Sequence, residues 1–204
     1  MMSWTATVRY DLEPAPGGLA LVQDLLNTLS AGRPREADLL ENAEDARAWL
    51  DQALRSWSDA THRPAPAIDL TAEDAQGLRD FRHDLNRLVG TQTPDASSEP
   101  GPVASLMTLP TALRLDEQGH IHAEPRGTGW RQVASLALIE AYQAQCTDTL
   151  RRLKTCRNPR CATAFYDRSR NNSGVWHDVR VCGNAANLRN YRARKRAGAG
   201  ADQA

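Results

Sequence analysis

The sequence of 204 residues lacks the marks of several classes of protein. No apolar run approaches the ~20 residues that cross a bilayer, and residues 1–10 have no apolar segment of the kind found in a signal peptide. Aromatic residues form 5% of the chain, and the cysteines number four. We therefore expect a cytoplasmic protein with no membrane partner, in which disulfides are rare and the cysteines are free thiols or metal ligands.

The chain also lacks a net charge, since 25 basic side chains balance 25 acidic ones. This balance is a sum over two unlike parts. Residues 151–196 hold 13 basic and two acidic side chains, which gives a net charge of +11, and the rest of the chain carries −11. A charge division of this size indicates that one end contacts a polyanion while the other part has a different task.

Residues 1–150 have the pattern of an α+β domain that is mostly helical and contains a small β-hairpin. Apolar residues recur at helical spacing in several stretches, and a pair resembling a capping box, Thr71 and Asp74, opens one of them. The alternation of Leu113 and Leu115 before a glycine turn predicts the hairpin. The predicted elements are a strand at 5–10, helices at 19–29, 39–57 and 71–88, a loop at 90–102, a hairpin at 106–126 and a helix at 130–154.

This acidic part carries no catalytic signature. The sequence contains no phosphate-binding loop, no G-x-S-x-G and no H-E-x-x-H motif. On the first helix, Asp24 and Asn27 either line a pocket or serve helix solvation and capping. His120 and His122 share one face of a strand, a placement that suits a metal but is more often incidental. By elimination, we expect a sensing or dimerising domain.

The basic segment contains two pairs of metal-binding residue types, Cys156 with Cys161 and His177 with Cys182, each separated by four residues. Structural zinc needs four Cys or His ligands in a tetrahedron, and a segment of ~45 residues commonly needs a metal or disulfides to fold. We predict one structural zinc ion per chain, with buried thiols and a surface histidine as the alternative. Cys146, on the apolar side of the preceding helix, is predicted to be a core thiol.

The residues around these four predict a small treble-clef-like zinc finger. Residues 165–167 and 175–176 have strand composition, and residues 171–174 (NNSG) predict a hairpin turn between them. A helix is predicted to begin at Gly183, which places Cys182 in its first turn. A cysteine knuckle, a hairpin and a helix that supplies the last ligand are the parts of such a finger.

Residues 151–196 resemble the CGNR-type zinc finger. The resemblance rests on the C-x4-C pair, on FYDRSRN at 165–171 and on WHDVRVCGN at 176–184. Residues from about Gly18 to Leu150 more loosely resemble the ABATE domain, through LALVQDLLNTL at 19–29, Trp49-Leu50 and the LRLDEQG hairpin. The resemblance implies a stress-induced bacterial transcription regulator that binds zinc and DNA.

Two residues depart from the family pattern. His177 stands where the family has its third cysteine, so the predicted ligand set is three cysteines and one histidine, which still suits zinc. Ala185 stands where the family has the arginine of its name, so any contact made by that arginine is lost or relocated in this chain.

The sequence after Cys182 predicts a basic helix. Five basic residues and no acidic one occur within 183–198, and guanidinium groups suit both phosphates and guanine edges. A solvated helix face is the alternative. Arg170, at the predicted hairpin tip, is a further candidate for DNA contact. The predicted DNA-binding residues are Arg170, Arg189, Arg192, Arg194, Lys195 and Arg196.

The sequence thus predicts a two-part, DNA-binding regulator. An ABATE-like domain at 1–150 receives a small-molecule or protein signal, a zinc finger with a basic helix occupies 151–197, and 198–204 form a disordered tail. One alternative is an enzyme or small-molecule-binding protein with its site in the N-terminal domain and a purely structural finger. The other is a protein-interaction adaptor whose basic finger docks an acidic partner or its own acidic domain.

Overall fold

A computed structural model describes residues 4–32, 35–91, 108–158, 161–184 and 188. It confirms the predicted α+β class, with a mostly helical N-terminal part, a β-hairpin and a small C-terminal finger. In chain order the elements are α1 (Thr5–Val8), α2 (Leu19–Leu26), α3 (Ala43–Thr61), α4 (Asp74–Thr91), β1 (Thr111–Leu115), β2 (Ile121–Pro125), α5 (Trp130–Cys146), a 3-10 turn (Leu150–Arg152), β3 (Leu153–Thr155), β4 (Ala164–Tyr166) and a π-helical turn (Val179–Gly183).

Helix α2 lies at the centre of the core. All eight of its residues are buried, the polar Gln23 and Asp24 included, and it packs against α3, α4, α5 and β4. The helix predicted over 19–29 is therefore shorter, since it ends at Leu26, and it is buried on every side rather than amphipathic. The large side chains that are almost fully buried around it include Trp57, Leu50, Leu78 and Leu136.

Capping residues set where the long helices begin. Asn42 caps α3, because its side-chain oxygen accepts the N–H of Asp45 at 2.9 Å. At α4, the Asp74 carboxylate accepts the N–H of Thr71 at 2.7 Å, which is one half of the predicted capping box. The same carboxylate accepts the N–H of Trp130 at 3.0 Å, so Asp74 joins the first turns of α4 and α5.

Two antiparallel strand pairs complete the described fold. Strand β1 pairs with β2, which confirms the predicted hairpin, and β3 pairs with β4. The hairpin predicted between 165–167 and 175–176 is wrong, because β4 takes β3 as its partner. The opposite edge of β4 is occupied by Asn27, the residue that follows α2. Its side-chain amide accepts the N–H of Ala164 at 2.8 Å and donates to its carbonyl at 2.9 Å.

The strand predicted at residues 5–10 is wrong. The N–H groups of Thr7 and Val8 both bond back to the carbonyl of Trp4 at 2.9 Å, which closes a helical turn. This short helix α1 packs against α2 and α3.

The helix predicted from 130 to about 154 begins at Trp130 but ends at Cys146. Asp148 adopts a left-handed conformation with φ 58°, and the N–H of Thr149 bonds to the carbonyl of Ala144 at 2.8 Å, so the chain leaves the helix there. Cys146 is exposed, and its prediction as a core thiol is wrong.

Parts of the prediction lie outside the described residues. Helix α4 continues to Thr91, so residues 90 and 91 are helical rather than part of the predicted loop, and residues 92–102 are not described. The tail at 198–204 is likewise outside the described ranges. None of the helices that the structure describes is both long and apolar enough to span a membrane.

Candidate metal centre

The first predicted ligand pair lies between β3 and β4. We call the described residues there, 156–158 and 161, the knuckle. The N–H of Cys156 bonds to the carbonyl of Thr163 at 2.9 Å and continues the strand ladder by one step. The N–H of Cys161 bonds to the carbonyl of Asn158 at 2.8 Å, and Ala162 then takes a left-handed conformation with φ 57°. These bonds fix both cysteines on a tight loop.

The second pair, His177 and Cys182, is held by the π-helical turn. Asp178 caps this turn, because its carboxylate accepts the N–H of Val181 at 3.0 Å and its carbonyl accepts the N–H of Cys182 at 2.9 Å. The turn begins at Val179, earlier than the helix start predicted from sequence, and it contains Cys182. A five-residue element thus sets the spacing between the last two predicted ligands.

The structure brings the four predicted ligands together. One ligand atom from each of Cys156, Cys161, His177 and Cys182 lies within 4.8 Å of all the others. The Nδ1 atom of His177 is 3.3 Å from the sulfur of Cys161 and 3.6 Å from that of Cys182. Zinc bonds of about 2.3 Å to sulfur and about 2.0 Å to nitrogen would separate tetrahedral ligand atoms by about 3.5–3.8 Å. The donor set and its spacing therefore fit a four-coordinate zinc ion.

The sulfurs are close enough to perturb one another. The hydrogen bond from the Cys156 thiol lowers the pKa of the Cys161 thiol to about 3, and hydrogen bonds from His177 and Thr163 act in the same direction. The same Cys156–Cys161 bond, with burial, raises the pKa of Cys156. All three cysteines are at most 4% exposed. Burial also raises the pKa of Cys182. Of the three thiols, only Cys161 therefore favours the thiolate form by itself, and a bound cation would be needed to draw the proton from the other two.

A buried ion pair holds the chain that leads from β4 to His177. Burial alone would raise the pKa of Asp167. Hydrogen bonds from Lys154 and Ser169 outweigh burial and hold this pKa well below its usual range. The Asp167 carboxylate accepts from the Lys154 ammonium at 2.7 Å and from the N–H of Gly174 at 2.6 Å. A Cβ at Gly174 would lie 2.9 Å from the Asp167 carboxylate carbon, so only glycine allows this approach.

An open cleft of about 240 Å³ lies beside the four residues. One wall comes from the N-terminal part and includes Arg9, Tyr10 and Glu36, and the other includes His177 and Cys182. Cys161, Asn158 and Asp178 also line it. The cleft therefore lies between the helical part and the finger.

The structure places only one of the predicted DNA-binding residues. Arg170 is exposed, in the loop that follows β4. Arg189, Arg192, Arg194, Lys195 and Arg196 lie outside the described residues, as does Ala185.

Asp24 and Asn27 are fully buried and are not among the residues that line the cleft, so neither serves helix solvation or this cleft. Asn27 does lie at the C-cap of α2, as the capping alternative expected. The Asp24 carboxylate accepts the N–H of Thr7 at 2.8 Å and the indole N–H of Trp49 at 2.9 Å. Burial raises the pKa of Asp24 to about 6, although these hydrogen bonds act against the rise. Sequence reasoning missed this role; the available signal was a polar residue type inside an apolar stretch.

The histidine pair on the hairpin does not form a metal site in the described part of the chain. His122 bonds to the Asp116 carboxylate at 2.7 Å, and His120 lies 3.6 Å from the same group. Within the described residues, a group of at least three His, Cys, Asp or Glu side chains that could hold a metal ion occurs where the knuckle meets the segment that carries His177 and Cys182.

Two family models match the sequence, in the order expected from the resemblance. Residues 19–152 match the ABATE model, described as "Putative stress-induced transcription regulator", and residues 152–195 match the CGNR zinc finger. No curated protein matches the chain. Because the first match covers more than half of the sequence, the chain belongs to the ABATE family, and its ABATE domain is followed by a CGNR zinc finger.

Proposed function

We propose that the chain is a zinc-dependent transcription regulator that binds DNA through its finger. One structural zinc ion per chain is bound by Cys156, Cys161, His177 and Cys182. Four protein ligands leave no position for a substrate, so zinc supplies rigidity rather than a reaction. Three sulfurs and one nitrogen that lie within 4.8 Å of one another support this assignment, as does the match to a zinc-finger family.

The observation that carries the DNA-binding proposal is the charge of the segment that contains the ligands. Residues 151–196 have a net charge of +11, which suits a polyphosphate backbone. Arginine is the main basic residue type there, and its guanidinium binds phosphates and guanine edges in bidentate fashion. The proposed DNA contacts are Arg170, Arg189, Arg192, Arg194, Lys195 and Arg196.

The N-terminal part, residues 1–150, receives the signal in this proposal, and residues 151–197 form the DNA-binding unit. Packing across the junction supports coupling between them, because Leu153 and Ala164 belong to the same buried core as α2 and α5. A change in that core reaches β3 and β4 directly, and through them the knuckle. The proposed location is the cytoplasm.

The cleft beside the metal ligands favours a second candidate, a small-molecule-binding function at the same junction. Its volume of about 240 Å³ is smaller than the roughly 300–1,000 Å³ of common ligand pockets. For this reason, we prefer the regulator whose finger binds DNA.

The test is a salt titration of binding between the full-length protein and duplex DNA. Binding through counterion release predicts a steep loss of affinity between low and high salt. Replacing Arg189, Arg192 and Arg196 with Glu should weaken binding and lower the slope of log affinity against log salt by about 3 or more. The control is Arg55→Glu, which makes the same change of charge per site at an exposed residue of helix α3. Affinity independent of salt, or a triple variant equal to the control, would contradict DNA binding.

A further inference from the structure

We propose that Asn158 and Thr163 are positioning residues of the metal centre, each donating a side-chain hydrogen bond to one thiolate. The inference rests on the zinc site of the proposed function. Thr163 holds the sulfur of Cys161, and Asn158 holds the sulfur of Cys182. These bonds slow the reaction of the two sulfurs with electrophiles and slow the loss of zinc.

The need for donors follows from the charge of the site. Three thiolates, one neutral histidine and a divalent ion carry a net charge of −1, and the three sulfurs are almost fully buried. Burial of an uncompensated charge is costly unless hydrogen bonds stabilise it. Donors around a metal ligand fix its orientation and tune its basicity.

Thr163 is placed to serve Cys161. Its hydroxyl oxygen lies 3.0 Å from the sulfur, and the residue is fully buried. A thiolate has no proton, so the hydroxyl is the donor. The main-chain N–H of Thr163 donates to the same sulfur, while its carbonyl accepts the N–H of Cys156 at 2.9 Å. The residue therefore binds both cysteines of the knuckle.

Asn158 joins the two halves of the site. Its main-chain carbonyl accepts the N–H of Cys161 at 2.8 Å, within the knuckle. Its side-chain amide donates to the sulfur of Cys182 at 3.3 Å, in the π-helical turn. Asn158 is 2% exposed, so its amide is held against the sulfur rather than in bulk solvent. One side chain thus links the first ligand pair to the last ligand.

The two sulfurs with side-chain donors are the two that face the cleft. Cys161, Cys182 and Asn158 line the cleft, whereas Cys156 is not among its lining residues. A reagent in solvent reaches the site by this route. The side-chain donors therefore act at the sulfurs that meet such a reagent first.

The test uses zinc-loaded full-length protein and measures alkylation of each cysteine by N-ethylmaleimide with mass spectrometry, together with zinc transfer to a chelator. Thr163→Val, which removes only the hydroxyl, should speed alkylation of Cys161 and zinc transfer by about 10-fold. Asn158→Ala should speed zinc transfer by a similar factor, and the cysteine whose alkylation it speeds should be Cys182. Thr163→Ser keeps the donor and should restore slow rates.

Thr155→Val is the matched control, since its hydroxyl lies on β3 and bonds to Asn86 at 3.1 Å rather than to a sulfur. It should leave both rates at the wild-type level. A wild-type chain without zinc would refute the proposed function itself. Zinc-loaded variants that match wild type, or that gain reactivity equally at all cysteines without rescue by Thr163→Ser, would overturn the positioning roles.

Discussion

The helical body (residues 4–146) and the finger (residues 153–184) are held together by different means. The body has an apolar core in which Leu21, Leu25 and Trp57 are at most 1% exposed. The finger has its own buried cluster, which consists of Cys156, Cys161 and Cys182 with Trp176 packed against it. Burial of aliphatic side chains stabilises the body, whereas the same cysteines that form the finger's cluster are the proposed metal ligands. The body should therefore fold without metal, and the part of the finger that lies outside the body's core should not.

The region stabilised by the apolar core of the body extends past the start of the finger. Strands β3 and β4 belong to the finger by sequence, yet Leu153 and Ala164 pack in the core of the body. The bond from the N–H of Arg157 to the carbonyl of Val175 at 3.0 Å is one of the links from the knuckle to the following segment. We infer that the metal chiefly holds the segment from 175 to 184.

Removal of zinc should have the largest effect, because structural zinc contributes about 10–16 kcal/mol in small fingers. After chelation, the amide of Cys182, which bonds to the Asp178 carbonyl, should exchange rapidly with solvent. The amides of β3 and β4 should stay protected by the body. Hydrogen exchange with mass spectrometry measures both, and equal loss of protection in α2 would refute the division.

Leu25→Ala should destabilise the helical body. This side chain is fully buried in α2, and its truncation should lower the free energy of unfolding by about 2–5 kcal/mol. Zinc content per folded chain should not change. Leu113→Ala is the control, since that side chain is 74% exposed and its loss should change stability by no more than about 0.5 kcal/mol. Urea denaturation distinguishes the two.

Asn27→Ala tests the junction. Its amide bonds to both the N–H and the carbonyl of Ala164, while Gln23 makes a longer bond of 3.5 Å to the same carbonyl. Leaving the buried N–H without its acceptor should cost about 1–3 kcal/mol. Exchange of the Ala164 amide should rise. Asn42→Ala should cost about 1 kcal/mol through the lost cap of α3, but it should leave β4 protected. Equal protection of β4 in both variants would show that Asn27 does not hold the finger.

Asp24 should give the smallest effect, seen in the pH dependence of stability. Its pKa is about 6 in the folded chain against an ordinary 3.8, so the folded state keeps a proton that the unfolded state has released. The stability that this proton contributes is complete below about pH 4 and is lost as the pH rises through about 6. From pH 5 to pH 7 the loss is about 1 kcal/mol.

Asp24→Asn removes this titration. The free energy of unfolding of the variant, minus that of the wild type, should therefore be about 1 kcal/mol larger at pH 7 than at pH 5. Denaturation with zinc held in excess measures the difference at each pH. If the difference in unfolding free energy between variant and wild type were the same at both pH values, Asp24 would not titrate in this range.

Periodicity and residue spacing predicted much of the molecule. Apolar spacing predicted α3, α4 and the start of α5, and alternation predicted β1 and β2. The two pairs with four residues between their members predicted which side chains meet at the candidate metal centre. These signals are local, because each depends on residues close together in the chain.

The errors have two physical causes, namely side chains from distant parts of the chain and the conformation of single residues. The strand composition of 165–167 was read correctly, but β4 pairs with β3 on one side, and on the other side Ala164 bonds to Asn27, which is more than 130 residues away. Helix α5 ends shortly before Asp148, which adopts a left-handed conformation. Aspartate can adopt this conformation, so no glycine marks the end of the helix in the sequence. The burial of Asp24 depends on donors from Thr7 and Trp49. No local pattern encodes these partners.

The most direct test of the account is native mass spectrometry of the full-length chain with His177 intact, replaced by alanine, or replaced by cysteine. We predict one zinc ion per wild-type chain, loss of zinc in His177→Ala, and retention in His177→Cys, which restores the family's four-cysteine set. A wild-type chain that is folded through residue 184 without zinc, or an alanine variant that keeps its zinc, would contradict the claim that these four residues hold the finger.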